Sequence, residues 1–142
     1  MIFILDSDCL TILQRQTEPF YSRLVTRLQQ FPDEDICTTI INFEEQMRGW
    51  MAFIADSKQI RQEITAYNRL HALLTFYSDL VILDFDESAA EEFSKLKQLK
   101  LRIGSMDLKI AAITLSKNGT LLSRNIRDFK RIPNLQIADW TL

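Results

Sequence analysis

Ile2-Phe3-Ile4-Leu5-Asp6-Ser7-Asp8 decides how the rest of the chain is read. Four apolar residues in a row are the pattern of a strand buried on both faces, as in the middle of a parallel sheet. The run stops on two carboxylates separated by a serine, and the apolar positions then become Leu10, Ile12 and Leu13. A central strand that delivers acids at its carboxyl end places them in the crevice where open α/β sheets bind ligands. Read alone, Asp6, Ser7 or Asp8 serves equally well as the cap of a following helix.

Outward from that strand, helical spacing covers Asp8 to Gln16 and Phe20 to Phe31, the second with Phe20, Leu24, Leu28 and Phe31 in phase. Pro32 to Asp35 is a turn, and Ile36-Cys37-Thr38-Thr39-Ile40-Ile41 is a second, β-branched strand. Asn42 is read as the cap of a helix from Phe43 to Ile54. Ser57 caps a long amphipathic helix whose apolar stripe is Ile60, Ile64, Tyr67, Leu70, Leu74 and Tyr77. A third strand, Leu80 to Leu83, precedes a helix from Ser88 to Lys100 with Ala89, Phe93, Leu96 and Leu99 inward. A further helix runs from Ser105 to Lys117 with Leu108, Ala111, Ala112 and Leu115 inward, closed by Asn118-Gly119. Thr120 to Ser123 and Leu135 to Ile137 are short strands, with a loop or short helix between them. Strands alternating with helices predict an α/β fold, a mostly parallel central sheet of four or five strands with helices on both faces.

At 142 residues, with three glycines, three prolines and no linker or repeat, the chain reads as one domain, 1–142. No basic region precedes the short N-terminal apolar run, and no apolar stretch approaches a membrane span. Cys9 and Cys37 fit no metal spacing and read as reduced core thiols, so a cytoplasmic location is expected. The net charge of −2 hides an asymmetry, because residues 95–131 carry ten Lys/Arg against Asp107 and Asp128 alone. That segment is +8 and the remainder −10, a split that suggests a side facing a polyanion.

Acids stand at comparable places along the chain: Asp6 after the first strand, Glu45 in the helix after the second, Asp107 in the first turn of a late helix. Asn125 and Asp128 follow the fourth strand. Each has an ordinary alternative, as a solvated helix acid, a favourable charge at a helix start or a partner for a nearby arginine. Strand ends nevertheless converge at one edge of a parallel sheet, so these side chains are candidates for one pocket. Several carboxylates brought together repel one another and persist mainly where a divalent cation neutralises them. Oxygen donors without a His or Cys cluster point to Mg²⁺ or Mn²⁺. Such a site suits phosphodiester hydrolysis, in which the metal polarises the phosphoryl oxygen and activates water.

Four stretches carry a family resemblance. They are Phe3-Ile4-Leu5-Asp6-Ser7-Asp8, Asn42-Phe43-Glu44-Glu45-Gln46-Met47-Arg48-Gly49, Ile103-Gly104-Ser105-Met106-Asp107-Leu108-Lys109-Ile110-Ala111-Ala112 and Leu121-Leu122-Ser123-Arg124-Asn125-Ile126-Arg127-Asp128-Phe129. In this order they resemble the signature blocks of PIN-domain nucleases, and most of all VapC-type toxins of type II toxin–antitoxin modules. The resemblance implies a metal-dependent endoribonuclease, a homodimer, inhibited by a cognate antitoxin protein. By position it gives Asp6, Glu45 and Asp107 the main acidic roles; Asp8 and Asp128 are further candidate metal donors, which would compensate for the neutral Asn125. Glu45 is preferred to Glu44 because the family's acid stands four residues before the glycine, here Gly49. Ser7, Ser123 and Asn125 take supporting roles, either Asn125 or Asp128 filling the fourth position. Arg102, Lys109, Arg124 and Arg127 are the expected RNA-binding residues. The sequence departs from the family pattern at Ser7, in place of threonine, and at Asp8, in place of asparagine. Gln46, in place of an aliphatic residue, is a further departure.

Two rivals define what the structure must decide. A phosphoacceptor receiver domain also keeps acids at a strand end, with Asp84 as its phosphorylated residue, but it requires a lysine just after the last strand. Ile137-Ala138-Asp139-Trp140-Thr141-Leu142 contains none. A non-catalytic PIN-like domain would bind RNA or a partner, and such a binder of polyanions gains nothing from three acids in a pocket.

Overall fold

The computed structural model describes residues 1–142. Five parallel strands form one sheet: β1 (Phe3–Leu5), β2 (Ile36–Thr39), β3 (Val81–Leu83), β4 (Thr120–Leu122) and β5 (Gln136–Ala138). Their spatial order is β3-β2-β1-β4-β5. Phe3 lies opposite both Ile36 and Thr120, so the N-terminal strand is the centre of the sheet. The chain leaves β1 towards β2 and β3, then returns to its other side for β4 and β5, so the topological switch point, where open α/β sheets bind ligands, lies at the end of β1.

Seven helices cover the sheet: α1 (Ser7–Arg15), α2 (Phe20–Leu28), α3 (Ile40–Asp56), α4 (Ile60–Ser78), α5 (Glu87–Gln98), α6 (Ser105–Ser116) and α7 (Ile126–Phe129). Alternation along β1 shows why both faces need cover. Ile4 points into a core made with Ala89, Leu96, Ile110, Ala111 and Phe129 on the α5 and α6 side. Phe3 and Leu5 point into a second core with Leu10, Leu24, Leu73, Tyr77 and Trp140 on the α1, α2 and α4 side. Cys9 and Cys37 are free and buried, one in each core. No helix is long and apolar enough to cross a membrane.

Several local expectations are corrected. Thr39, not Asn42, caps α3: its backbone is extended and its side chain accepts the Asn42 N–H at 3.1 Å, which moves the helix start back to Ile40. Gln59 rather than Ser57 occupies the cap position of α4. The apolar stripe of α4 is largely turned outward, with Ile60, Ile64, Tyr67 and Leu74 exposed. Of that stripe only Leu70 and Tyr77 pack on the core, and Ala66 and Leu73 complete the buried side. Leu99 lies beyond the end of α5 and is exposed. α6 is buried nearly all round, Ile110 and Ile113 included, since it is enclosed by α5, α3 and the sheet. The left-handed residue that follows α6 is Asn118 (φ 53°). Gly119 serves a different need, as a Cβ there would meet the Ile2 carbonyl oxygen and Ile4 Cδ1 at 3.2 Å.

Candidate active site

All the candidate acids stand at the carboxyl edge of the sheet, by two routes. Asp6 and the Ser123–Asp128 segment simply follow β1 and β4, and Glu45 lies in the second turn of α3, after β2. Asp107 precedes β4, but α6 runs antiparallel to the strands, so its first turn returns to the same edge.

Asp6 is fixed from its backbone outward. Its N–H donates to the Leu122 carbonyl at 3.0 Å, extending the β1–β4 pairing to the acid. Although Asp6 occupies the cap position of α1, its side chain makes no capping bond. Instead Oδ2 accepts from Ser123 Oγ at 2.8 Å and Oδ1 accepts from Asn42 Nδ2 at 3.2 Å. Asp6 as a residue is 7% exposed. Burial, reinforced by the charge of Asp8, pushes its pKa up from 3.8 to about 6, against the opposing Ser123 hydrogen bond. Asp107 is also raised, by its own burial and then by the charges of Glu45, Asp128 and Asp8. These mutual effects place the acids in one electrostatic unit.

Glu45 and Glu44 part company on α3. Glu45 Oε1 accepts from Ser7 Oγ at 2.8 Å, whereas Glu44 pairs with Arg48 along the helix. Beside Glu45, Gln46 accepts at Oε1 from the Tyr77 hydroxyl at 2.8 Å and exchanges bonds with Gln14, joining α3 to α4 and α1. Asp8 Oδ2 accepts the Arg124 N–H at 3.0 Å, while its Oδ1 is buried without a hydrogen-bond partner. Asn125 donates its N–H to Ser123 Oγ at 3.0 Å and its amide to Asp128 Oδ2 at 3.3 Å. Asp128 also faces Arg131 at 3.9 Å.

The basic residues are distributed less uniformly. Arg124 is exposed and its guanidinium lies over the Phe20 ring, 4.2 Å from the centroid. Arg127 projects from α7 and Arg102 from the loop before α6, both exposed. Lys109 is not with them. Two residues beyond Asp107, it points about 200° round the helix, with its ammonium over Phe85 and Phe93. The residue that sequence patterns missed is Asn42, fully buried between Asp6 and Ser7. Its spacing of three from Glu45 puts both on one helix face, which was the available signal.

These side chains fit a hard divalent cation. The donors are all oxygens, Asp8 offers a buried oxygen with no partner, and Asp6 and Asp107 bear charges that burial disfavours. Asp6, Asp8, Asp107, Glu45 and Asp128 are the residues available to hold it. As arranged, no three of them stand close enough together to form a metal-binding cluster.

Beyond its parallel sheet and central acid, the sequence matches the PIN domain over residues 3–135, and the chain belongs to the PIN-domain family. Among its relatives, Ribonuclease VapC2 of Rickettsia felis is 30% identical over 145 residues, spanning 99% of this chain and 98% of the relative. Ribonuclease VapC1 of Haemophilus influenzae is 27% identical over 141 residues, spanning 99% of both. The structure of VapBC-1 from nontypeable H. influenzae superposes with a TM-score of 0.75 at 26% identity, covering 100% of each chain. VapBC2 from R. felis, bound to a promoter DNA fragment, gives 0.70 at 28% identity and covers 99% of each.

Proposed function

We propose that residues 1–142 form one VapC-type domain, an endoribonuclease toxin that cleaves RNA with the help of Mg²⁺ or Mn²⁺ and is restrained by a cognate antitoxin. The observation that carries this reading is Asp6: a buried carboxyl group at the end of the central strand, raised in pKa by burial and by Asp8. A binding module for polyanions has no use for such a group. A bound divalent ion supplies Lewis-acid polarisation of a phosphoryl oxygen and makes water more acidic.

The protein's residues take the following parts. Asp6, Glu45 and Asp107 hold the metal and are the catalytic acids, with Asp8 and Asp128 as further donors. Ser7 orients Glu45, and Ser123 orients Asp6. Asn125 holds Ser123 through its N–H and Asp128 through its amide. Arg102, Arg124 and Arg127, exposed at this edge, neutralise RNA phosphates. Lys109, packed on two rings, contributes to the fold more than to RNA. The receiver-domain alternative loses its support, because Asp84 is exposed after β3, an edge strand, away from the central acid.

Protein partners have a surface to use. α4 leaves Ile60, Ile64, Tyr67 and Leu74 exposed. A groove of about 610 Å³ runs between α1, α3 and α4, lined by Trp50, Phe53 and Phe76 together with Arg15 and Arg69. These unpartnered apolar surfaces support an antitoxin complex and a homodimer. Two free, buried thiols fit a reducing compartment, the cytoplasm. The test is cleavage of mixed cellular RNA by purified protein in chelator and in Mn²⁺, with the antitoxin added and with Asp6→Asn as control. Mn²⁺-dependent cleavage that Asp6→Asn and the antitoxin both abolish is the expected result. RNA binding without cleavage would favour the non-catalytic alternative.

A further inference from the structure

Asn42 lies outside the acid set, yet its amide touches two members of the site. It is fully buried, at the junction of β2 and α3. Its Nδ2 donates to Asp6 Oδ1 at 3.2 Å and to Ser7 Oγ at 3.0 Å, and its Oδ1 accepts from the Thr39 hydroxyl at 2.7 Å. The direction of each bond follows from proton counting. Thr39 Oγ already accepts the Asn42 N–H, so its single proton is free for Asn42 Oδ1. That contact and the Asp6 carboxylate, which when ionised can only accept, together fix which end of the amide is oxygen and turn the NH₂ towards the acids. A flipped amide would set its oxygen against the Asp6 carboxylate with no proton between them. Ser7, accepting from Asn42, is left with its one proton for Glu45 Oε1.

The donors therefore run in one direction: Thr39 to Asn42, Asn42 to Asp6 and Ser7, and Ser7 to Glu45. We infer that Thr39 and Asn42 form a positioning relay that sets Asp6 and, through Ser7, Glu45 in mutual register. Neither residue reaches substrate. Their effect is to make two acids from different elements, the end of β1 and the second turn of α3, share one hydrogen-bonded anchor. Thr39 thus has two outputs from one side chain, capping α3 and setting the amide's polarity. The inference rests on the proposed metal-holding role of these acids for its first readout, and has a second that does not need metal.

The first readout is Mn²⁺ affinity, measured from the free-ion electron paramagnetic resonance signal well below the melting temperature. Asn42→Ala is expected to raise Kd about 10–100-fold, as loss of a residue that orients a ligand does. Thr39→Val, nearly the same shape without the hydroxyl, should also weaken binding, and Thr39→Ser should restore it. A cap acting on stability alone would lower Tm and leave Kd unchanged. A folded Asn42→Ala protein with wild-type Kd overturns the relay, as does a Thr39→Ser protein as weak as Thr39→Val. If Asn42→Ala does not fold, the Thr39 pair decides, and unchanged Kd in Thr39→Val overturns it. Should the wild type bind no Mn²⁺, the metal reading fails by itself. The relay is then judged in EDTA from the Tm values of Thr39→Val, Ser7→Ala and the double variant. Non-additive losses support the relay and additive losses overturn it.

Discussion

Replacing Asp6 by asparagine should make the metal-free protein more stable, by an amount that depends on pH. Burial and Asp8 raise the Asp6 pKa from 3.8 to about 6, so the folded chain holds a proton that the unfolded chain has already released. Stability is therefore present at low pH and falls as pH rises through the window between those two values. At pH 7.5 the full cost applies, and the gap between 3.8 and about 6 corresponds to about 3 kcal/mol. Asparagine carries no charge but costs something of its own. With its oxygen towards Asn42, its NH₂ faces Ser123 Oγ, which must cease donating; one lost hydrogen bond takes back about 1 kcal/mol. The net gain is about 2 kcal/mol, roughly 6–8 °C in Tm for a chain of this size. At pH 4.5 the charge contribution falls to about 1 kcal/mol, which cancels the hydrogen-bond loss, so the two proteins should melt together. The assay is thermal unfolding of both in EDTA between pH 4.5 and 7.5. A variant no more stable than wild type at pH 7.5, or a difference that stays constant across the series, would refute the reasoning.

Three further outcomes follow from particular contacts. Gly119→Ala should lower stability by about 1–3 kcal/mol in chemical denaturation, because its methyl group meets the Ile2 carbonyl and Ile4 at 3.2 Å where β4 begins beside β1. Tyr77→Phe leaves Gln46 without the hydroxyl at 2.8 Å and should cost about 1 kcal/mol by the same measurement. Arg124→Ala or Arg127→Ala should weaken RNA binding about equally across sequences and reduce the salt slope by about one unit or less. Binding titrations at several salt concentrations check this, and a loss confined to one sequence would mean base reading instead.

What the sequence made legible was set by chemistry that repeats locally. An unbroken apolar run ending on Asp6 marks a doubly covered strand wherever it occurs, and it is the centre of the sheet. Alternating strands and helices bring Glu45 and Asp107 to the same edge without any knowledge of packing. What stayed hidden depended on which neighbour each side chain meets. Thr39 and Asn42 are both good capping residues, and only the helix start distinguishes them. The apolar residues of α4 form more than one stripe, and spacing alone does not say which one a monomer covers. Lys109 looks like any other cation in a basic segment until Phe85 and Phe93, distant in sequence, are placed beneath it. The fold is thus more legible than the orientation of individual side chains within it.

The central claim is that Asp6, Glu45 and Asp107 act together on RNA, and adjacent glutamates on α3 give its most direct test. Glu45 faces Ser7 in the acid pocket, while Glu44 is paired with Arg48 on the helix. Cleavage rates should be measured for wild type, Glu44→Gln and Glu45→Gln with one RNA and saturating Mn²⁺, each protein first shown to be folded. Glu45→Gln is expected to lose at least about a hundredfold, or roughly 3 kcal/mol of transition-state stabilisation, with Glu44→Gln within about threefold of wild type. Equal rates in all three proteins, or a greater loss at Glu44, would contradict the site.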